Sequence, residues 1–564
     1  MANRDNNDKE LVYLPLGGSG EIGMNCYLYG VGSRGRRQWL MVDLGITFPG
    51  PMEPGVDVIF PDISFIEEER QDLVAIVLTH AHEDHFGAVV DLAPRLDVPI
   101  YATPFTATLL KLKAMQFGTE NELQIKEVEL GSRMDLKAFD IEFVTMAHSI
   151  PEPNALVIRT EAGVVLHSGD WKIDHTPIAG PGINLERIKE VGDEGVDVLI
   201  CDSTNAVNEG RSPSESDVSR TLHQLFKETK NRIAVTTFAS NVARIRSVAE
   251  AARASGREIV AVGRAMRRII EVARDTGYLD PAIKFVGEED FGYLPRDKVV
   301  LLCTGSQGEA RAAMARIARD EHPNVTLNAG DTVIFSSRTI PGNERSVNLI
   351  QNRLLDLGVD LITDREARVH VSGHPRRDEL AEYYQAVKPT ALVPMHGEAM
   401  HLKAQLDWAE QCGIGEGLLV CNGEMARILP GPLTIIDEVP SGRLFRDGHL
   451  IIPSQDKSVR DRRNLSHVGA VFVTAVLTKK GRLIGEPQIT LSGVPDETAE
   501  SEDMDDIIYD SVLGVINSIP KPRRKNQELL AEAIRRGVRS TVREIWGKKT
   551  QCLVSLTFLD PRDL

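Results

Sequence analysis

"LTHAHEDHFG", residues 78–87, closes the apolar run Val74-Ala75-Ile76-Val77-Leu78 with three histidines and two acids in six positions. A short run rich in β-branched residues reads as a buried strand. His80, His82, Asp84 and His85 then fall on a tight loop that can turn all four inward, which a regular helix could not do at these spacings. Imidazole nitrogen and carboxylate oxygen are ligands for zinc-like divalent metals. An HxHxDH cluster directly after a strand therefore reads as a metal site rather than as chance polarity on a loop.

The same pattern recurs on either side. "QWLMVDLGITF" reads as a strand ending near Asp43, "DIEFVTMAH" ends at His148, "GVVLHSGD" near Asp170 and "VDVLICDST" near Asp202. Much later "ARVHVSGH" and "TALVPMHGE" again end on histidine, at His374 and His396. Strand ends converge on one rim of a sheet, where sites form in α/β proteins. His167, His175 and His401 match no ligand position and read as structural.

Between these two blocks the texture changes. From about residue 215 helical patterns dominate, with short strands such as "RIAVTTF", "KVVLLCTG" and "DTVIFSS" between them. Ser216 or Asp217 reads as the N-cap of the first helix, and Gly256 as a C-terminal stop. This α/β alternation implies a second domain with its own parallel sheet, inserted into the first. The expected boundaries are 1–214 and 369–440 for the first domain, 215–368 for the insert, 441–469 for a linker and 470–564 for a small C-terminal α/β domain. No repeat or low-complexity tract interrupts them.

The 564 residues exceed one ordinary domain, and 42% hydrophobic with 26% charged residues is a globular composition. No apolar run reaches the length of a membrane span. The start, "MANRDNNDKE", carries no apolar leader core. Six scattered cysteines without a CxxC fit a reducing cytoplasm. The net charge of −17 argues against non-specific polyanion binding but leaves room for a locally basic groove. The basic cluster "KPRRK", 521–525, is equally a solvated face.

HxHxDH with Asp43, His148, Asp170 and His396 resembles the metallo-β-lactamase superfamily. Asp202 in "CDSTN", His374 in "HVSGH" and His396 in "VPMHGE" resemble motifs A, B and C of the β-CASP nucleases, with histidine at the third motif favouring RNA over DNA. "PLGGSGEIGMNCYLY", "TFASNVARI", "CTGSQGEARAAMARIA" and "RTIPGNE" are similar to the ribonuclease J family, across nearly the whole chain.

The resemblance implies an α/β fold: a metallo-β-lactamase αββα sandwich, an inserted β-CASP α/β domain and a small C-terminal α/β domain. It implies two divalent ions, zinc foremost, with manganese or magnesium as substitutes. His80, His82 and His148 would hold one, Asp84, His85 and His396 the other, Asp170 would bridge them and Asp43 would orient the site. Asp84, Asp202 and His374 would be catalytic, His374 as general acid or as stabiliser of the scissile phosphate. His370, Val371, Ser372, Gly373 and His374, with Ser240 and Asn241, would hold an RNA phosphate. Backbone N–H groups around a glycine, and a strand-to-helix junction, suit an anion on physical grounds too. A structural calcium known in the family would use Asp57, while "IIPSQDK" departs from its partner segment.

The implied activity is cytoplasmic 5′-to-3′ exonuclease action on single-stranded RNA with a 5′-monophosphate, with some endonuclease activity, in messenger RNA decay and ribosomal RNA maturation. A homodimer or homotetramer, a place in an RNA degradation complex and no membrane partner go with it. The competing readings are a β-CASP DNA nuclease and a catalytically weak RNA-binding scaffold. In the C-terminal domain Ile507, Val512, Val515 and Ile516 would serve either self-association or the domain's own core.

Overall fold

A computed structural model describes residues 10–560. The polar start read for its lack of a leader, residues 1–9, lies outside the described residues. The described residues form two compact units, residues 10–47 with 60–443, and residues 48–59 with 444–560.

The larger unit holds two facing sheets. The first runs in the order Thr434–Glu438, Glu424–Leu429, Leu11–Gly17, Cys26–Val31, Gln38–Val42, Leu73–Val77, Pro99–Ala102, Gln124–Glu127. The second runs Glu416–Gly417, Ala391–Met395, Val198–Asp202, Gly163–His167, Asn154–Thr160, Phe139–Thr145, Arg133–Leu136. Tyr13, Tyr29, Leu40 and Val77 of the first sheet share a core with Phe143, Ile158, Ile200 and Val393 of the second. The outer face of the second sheet packs Val144, Leu166 and Leu199 against Ile188, Leu380 and Tyr383 of covering helices. This is the αββα sandwich. Residues Leu73–Val77 are buried throughout because both faces of their sheet are covered.

The inserted sheet is parallel throughout, ordered Glu258–Val262, Val299–Cys303, Ile233–Thr236, Thr332–Phe335, Asp360–Ile362. "TFASN", "CTGSQGE" and "SSRTIPGNE" leave the carboxyl ends of three adjacent strands. One buried cation ties this edge to the rest. Arg244, fully buried, pairs with Glu215 at 3.0 Å and donates to the carbonyls of Ser336 and Val369, both at 2.8 Å. Val369 leads directly into the HVSGH turn.

The first helix of the insert, Glu215–Glu228, starts one residue after Ser214, not at Ser216 or Asp217. Ser214 Oγ accepts from the Ser216 N–H, and the Asp217 carboxylate reaches back to the Ser214 N–H, a capping box. The helix Val242–Ala254 ends as expected, with Gly256 at φ 65°.

In the smaller unit, Ala470–Thr478 lies between Leu483–Ser492 and Gln551–Leu559. Helices Met504–Ser518 and Gln527–Trp546 cover one face, with Val512 and Ile516 in the shared core, Val515 packed at its margin and Ile507 half-buried. Within 441–469 the chain is folded rather than a bare linker: strands Arg443–Asp447 and Leu450–Pro453 precede a helix, Lys457–Val468, whose Arg462 pairs with Asp447 at 2.6 Å. Asp57 accepts a bond from the Gly448 N–H at 2.9 Å. In "KPRRK", Arg524 bonds the carbonyls of Ile519 and Asn517 at the end of a helix. No helix among the described residues is long and apolar enough to cross a membrane.

Removing one partner from a buried ion pair leaves the other charge uncompensated. Arg244→Ala should therefore lower the stability of the full chain by about 3–5 kcal/mol, read as a drop in denaturant midpoint. A loss under about 1 kcal/mol, within the range of an ordinary substitution, would show that the pair does not anchor the insert.

Candidate metal centre

The loop after Leu78 is built by close backbone approach. His82 caps a single helical turn, Glu83–Phe86, which carries Asp84 and His85. Two neighbouring segments clasp that turn: the Asn25 N–H donates to the Asp84 carbonyl at 2.8 Å and the Leu44 N–H to the His85 carbonyl at 2.7 Å. Gly45 makes this possible, since a Cβ there would lie 1.7 Å from the Asp84 oxygen. Lys113 braces the turn from behind through Glu83 and the Gly87 carbonyl.

Two clusters result. His80 Nε2 and His148 Nε2 each lie 3.1 Å from His82 Nδ1. Asp84, His85, Asp170 and His396 form the second, with every ligand atom within 4.8 Å of the others. Asp170 lies at the edge of the first as well: its Oδ2 is 3.2 Å from His85 Nε2, 3.8 Å from His148 Nε2 and 4.0 Å from His80 Nε2. Asp202 and His374 extend the second cluster, joined to each other at 2.7 Å through His374 Nδ1.

The ligand-orienting bonds are in place. Asp43 holds His85 Nδ1 at 2.7 Å and is itself held by the Thr79 N–H and hydroxyl, both at 2.8 Å. The His148 Nδ1–H donates to the Gly373 carbonyl at 2.7 Å, turning Nε2 toward the cluster. His396 Nδ1 meets Thr204 Oγ1 at 2.7 Å, and that hydroxyl also lies 2.7 Å from Asp202 Oδ1. Such partners set tautomer and ring orientation.

The charges require a cation. Asp43, Asp170 and Asp202 are almost fully buried, and among the described residues the ion pairs of these three and of Asp84 are all with histidines. Asp170 Oδ1 is buried without a hydrogen-bond partner. At His85 burial pulls the pKa down, but Asp170, Asp84 and Asp43 outweigh it and hold it well above its ordinary value. His396, opposed by burial but drawn up by Asp170, Asp202 and Asp84, is pushed up to about 10. Without metal these imidazoles keep protons where a divalent ion would otherwise sit. His80 and His148 lie well below their ordinary value, through burial first and then neighbouring imidazoles, and so are in the neutral form that binds metal. The donor set fits divalent metal.

Other expected positions divide. His370 is half-buried with its Nδ1 buried and unpartnered, and burial with Arg244, Arg338 and Lys172 nearby lowers it to about 3. The Val371 side chain is buried, so only its backbone can meet a ligand. A Cβ at Gly373 would lie 2.5 Å from the His148 ring, so this glycine is spent on packing a ligand histidine as much as on freeing the turn. Asn241 caps Val242–Ala254 by accepting from the Arg244 N–H at 2.9 Å, and its amide faces Glu215. Ser240, half-buried, precedes it. His167 lies in the core against Tyr29, His401 accepts from the Glu398 N–H, and His175 is exposed. Asn25, Thr79, Thr204 and Asn205 were not singled out by sequence; only their proximity to motif residues hinted at them.

Residues 20–182 match the model of the metallo-beta-lactamase superfamily, 230–354 that of the ribonuclease J beta-CASP domain, 363–414 that of a Zn-dependent metallo-hydrolase RNA specificity domain, and 457–557 that of the ribonuclease J C-terminal domain. A ribonuclease J of Sinorhizobium meliloti is 52% identical over 98% of both chains. One from Mycolicibacterium smegmatis is 37% identical over 95% of both. In fold alone, a crystal structure of a protein of unknown function from Enterococcus faecalis matches at a TM-score of 0.51 and 17% identity, over 74% of this chain and 99% of that one.

Asp43→Asn keeps the shape of the His85 partner but removes its charge. Metal affinity, titrated by calorimetry on chelator-stripped protein, should fall about 10–100-fold, the usual cost of losing such a support. An unchanged isotherm would remove Asp43 from the site.

Proposed function

Because the chain belongs to the ribonuclease J family, and is a metal-binding nuclease of the metallo-β-lactamase fold, we propose that it degrades single-stranded RNA in the 5′-to-3′ direction from a 5′-monophosphate. A lesser endonuclease activity accompanies this. The observation that carries the reading is the approach of Asp170 to both ligand clusters, 3.2 Å from His85 and 3.8 Å from His148, with the His374–Asp202 pair beside them.

In this reading His80, His82 and His148 would hold one divalent ion, Asp84, His85 and His396 a second, with Asp170 available to both; zinc would suit the ligands best, with manganese or magnesium as alternatives. Such ions, when bound, supply hydroxide from water near neutral pH and offset charge on a phosphoryl oxygen. The protein residues do the rest. Asp84 orients the attacking water. His374 gives the leaving oxygen its proton from Nε2, with Nδ1 anchored on Asp202 at 2.7 Å. Burial alone would lower the His374 pKa, but Asp202 and Asp170 bring it above its ordinary value, which favours an acid role.

The 5′-phosphate is held by the turn His370–His374, through the Ser372 hydroxyl and backbone N–H groups, and by Ser240; Asn241 adds its backbone, since its side chain is engaged. A pocket one nucleotide from the cleavage site makes the terminal phosphate select the cut. The intact ligand set speaks against a scaffold without activity. The biological setting we assign is the cytoplasm, in messenger RNA decay and ribosomal RNA maturation, as a homodimer or homotetramer and within an RNA degradation complex.

The test is one RNA labelled at its 5′ or its 3′ end, with monophosphate and triphosphate termini, alongside matched DNA. Immediate release of the 5′ label as mononucleotide, slowed by a triphosphate and lost in Asp84→Ala by about 10²-fold or more, is expected. Internal fragments whatever the 5′ end would mean that the enzyme is chiefly an endonuclease. Preferred cleavage of DNA would overturn the substrate assignment.

A further inference from the structure

Thr204 and Asn205, the second and third residues after Asp202, divide their work between the two halves of the site. Thr204 turns toward the metal clusters, its hydroxyl between Asp202 and His396. Asn205 turns the other way. Its Nδ2 donates to Ser372 Oγ at 2.8 Å and to the His374 carbonyl at 3.1 Å, while its Oδ1 accepts from Asn208 Nδ2 at 3.1 Å, which fixes the orientation of the amide. Asn205 is 9% exposed, so these bonds are largely shielded from water. Ser212 Oγ adds a second donor to the His374 carbonyl at 2.8 Å.

The consequence lies at Ser372. Its oxygen accepts two bonds, from Asn205 Nδ2 and from the His374 N–H at 3.2 Å. Neither uses the hydroxyl's own proton. With both acceptor positions taken, the O–H must point away from the turn, where an anion is the fitting partner.

We propose that Asn205 is a positioning residue that clamps the Ser372–His374 turn and aims the Ser372 hydroxyl at the substrate's phosphate, so that selection of the 5′ end depends on a side chain that never touches RNA. This rests on the reading of the turn as the 5′-phosphate pocket. Losing a hydrogen bond to a charged group is worth about tenfold or more in affinity, and the loss should appear in KM for 5′-monophosphorylated RNA.

The experiment compares full-length wild type, Asn205→Ala, Asn205→Asp, Ser372→Ala and the Asn205→Ala/Ser372→Ala double variant on one oligoribonucleotide with a 5′-monophosphate or a 5′-hydroxyl. Metal content, thermal unfolding and amide exchange at residues 370–374 are measured on each. Both Asn205 variants should lose about tenfold or more of the preference for monophosphate, chiefly in KM, and keep the wild-type metal content. The double variant should lose no more than Ser372→Ala, since the two residues act through one hydroxyl. Amide exchange in the turn should quicken in Asn205→Ala. Retained preference in the single variants, or additive losses in the double, overturns the inference. If wild type itself ignores the 5′ end, the pocket reading fails instead. The clamp is then judged by exchange alone, and unchanged protection of 370–374 overturns it.

Discussion

Burying carboxylates beside one another is the constraint on which the rest of this structure depends. Asp43, Asp170 and Asp202 are nearly inaccessible, Asp84 stands at the mouth, and their ionic partners among the described residues are histidines alone. A buried charge is tolerated only when paired or coordinated. The histidines divide accordingly: His80 and His148 stay neutral, His85 and His396 take protons. Divalent metal relieves both groups at once, so the ligand sphere is shaped by the need to neutralise acid as much as by coordination geometry.

The sandwich meets that need at its strand ends. Asp43 and His396 follow directly on strands and adopt φ values of 62° and 53°, a region that non-glycine residues seldom occupy. Both turn out of the sheet there, toward the clusters. Such backbone strain persists where surrounding bonds over-determine it. Here the Asp43 N–H is held by the Val77 carbonyl and the His396 N–H by that of Gly18. The neighbouring strands therefore fix ligand direction before any ion binds.

The inserted domain adds the second half of the site through a few buried polar links. Arg244 joins Glu215, Ser336 and Val369, so the carboxyl edge of the inserted sheet and the start of the HVSGH turn are held by one guanidinium. The turn then returns to the metal side through Gly373 and His148, and through His374 and Asp202. The turn we propose for the phosphate and the metal cluster are thus built on shared backbone rather than on separate loops.

Much of this was legible in residues 78–87, because HxHxDH places four candidate ligands within one short segment. The insertion could be read from strand periodicity and from the return of histidine-ended strands after residue 368, the αββα class only from the resemblance. Distant candidates were legible as strand-end residues, but their grouping only by resemblance: His396 meets Asp84 across 312 positions, a distance that no local pattern spans. Tertiary structure alone decided the uncharged residues. Thr79, Thr204 and Asn205 look like ordinary turn residues in the chain, and Ser214 rather than Ser216 caps its helix because the Asp217 side chain reaches back to it. Gly373 reads as a flexible turn but also makes room for the His148 imidazole packed on it. Ligand chemistry is carried by rare side-chain types and so is written in the sequence. The aim of each ligand is set by common polar groups, whose roles exist only once the chain has brought them within hydrogen-bond reach.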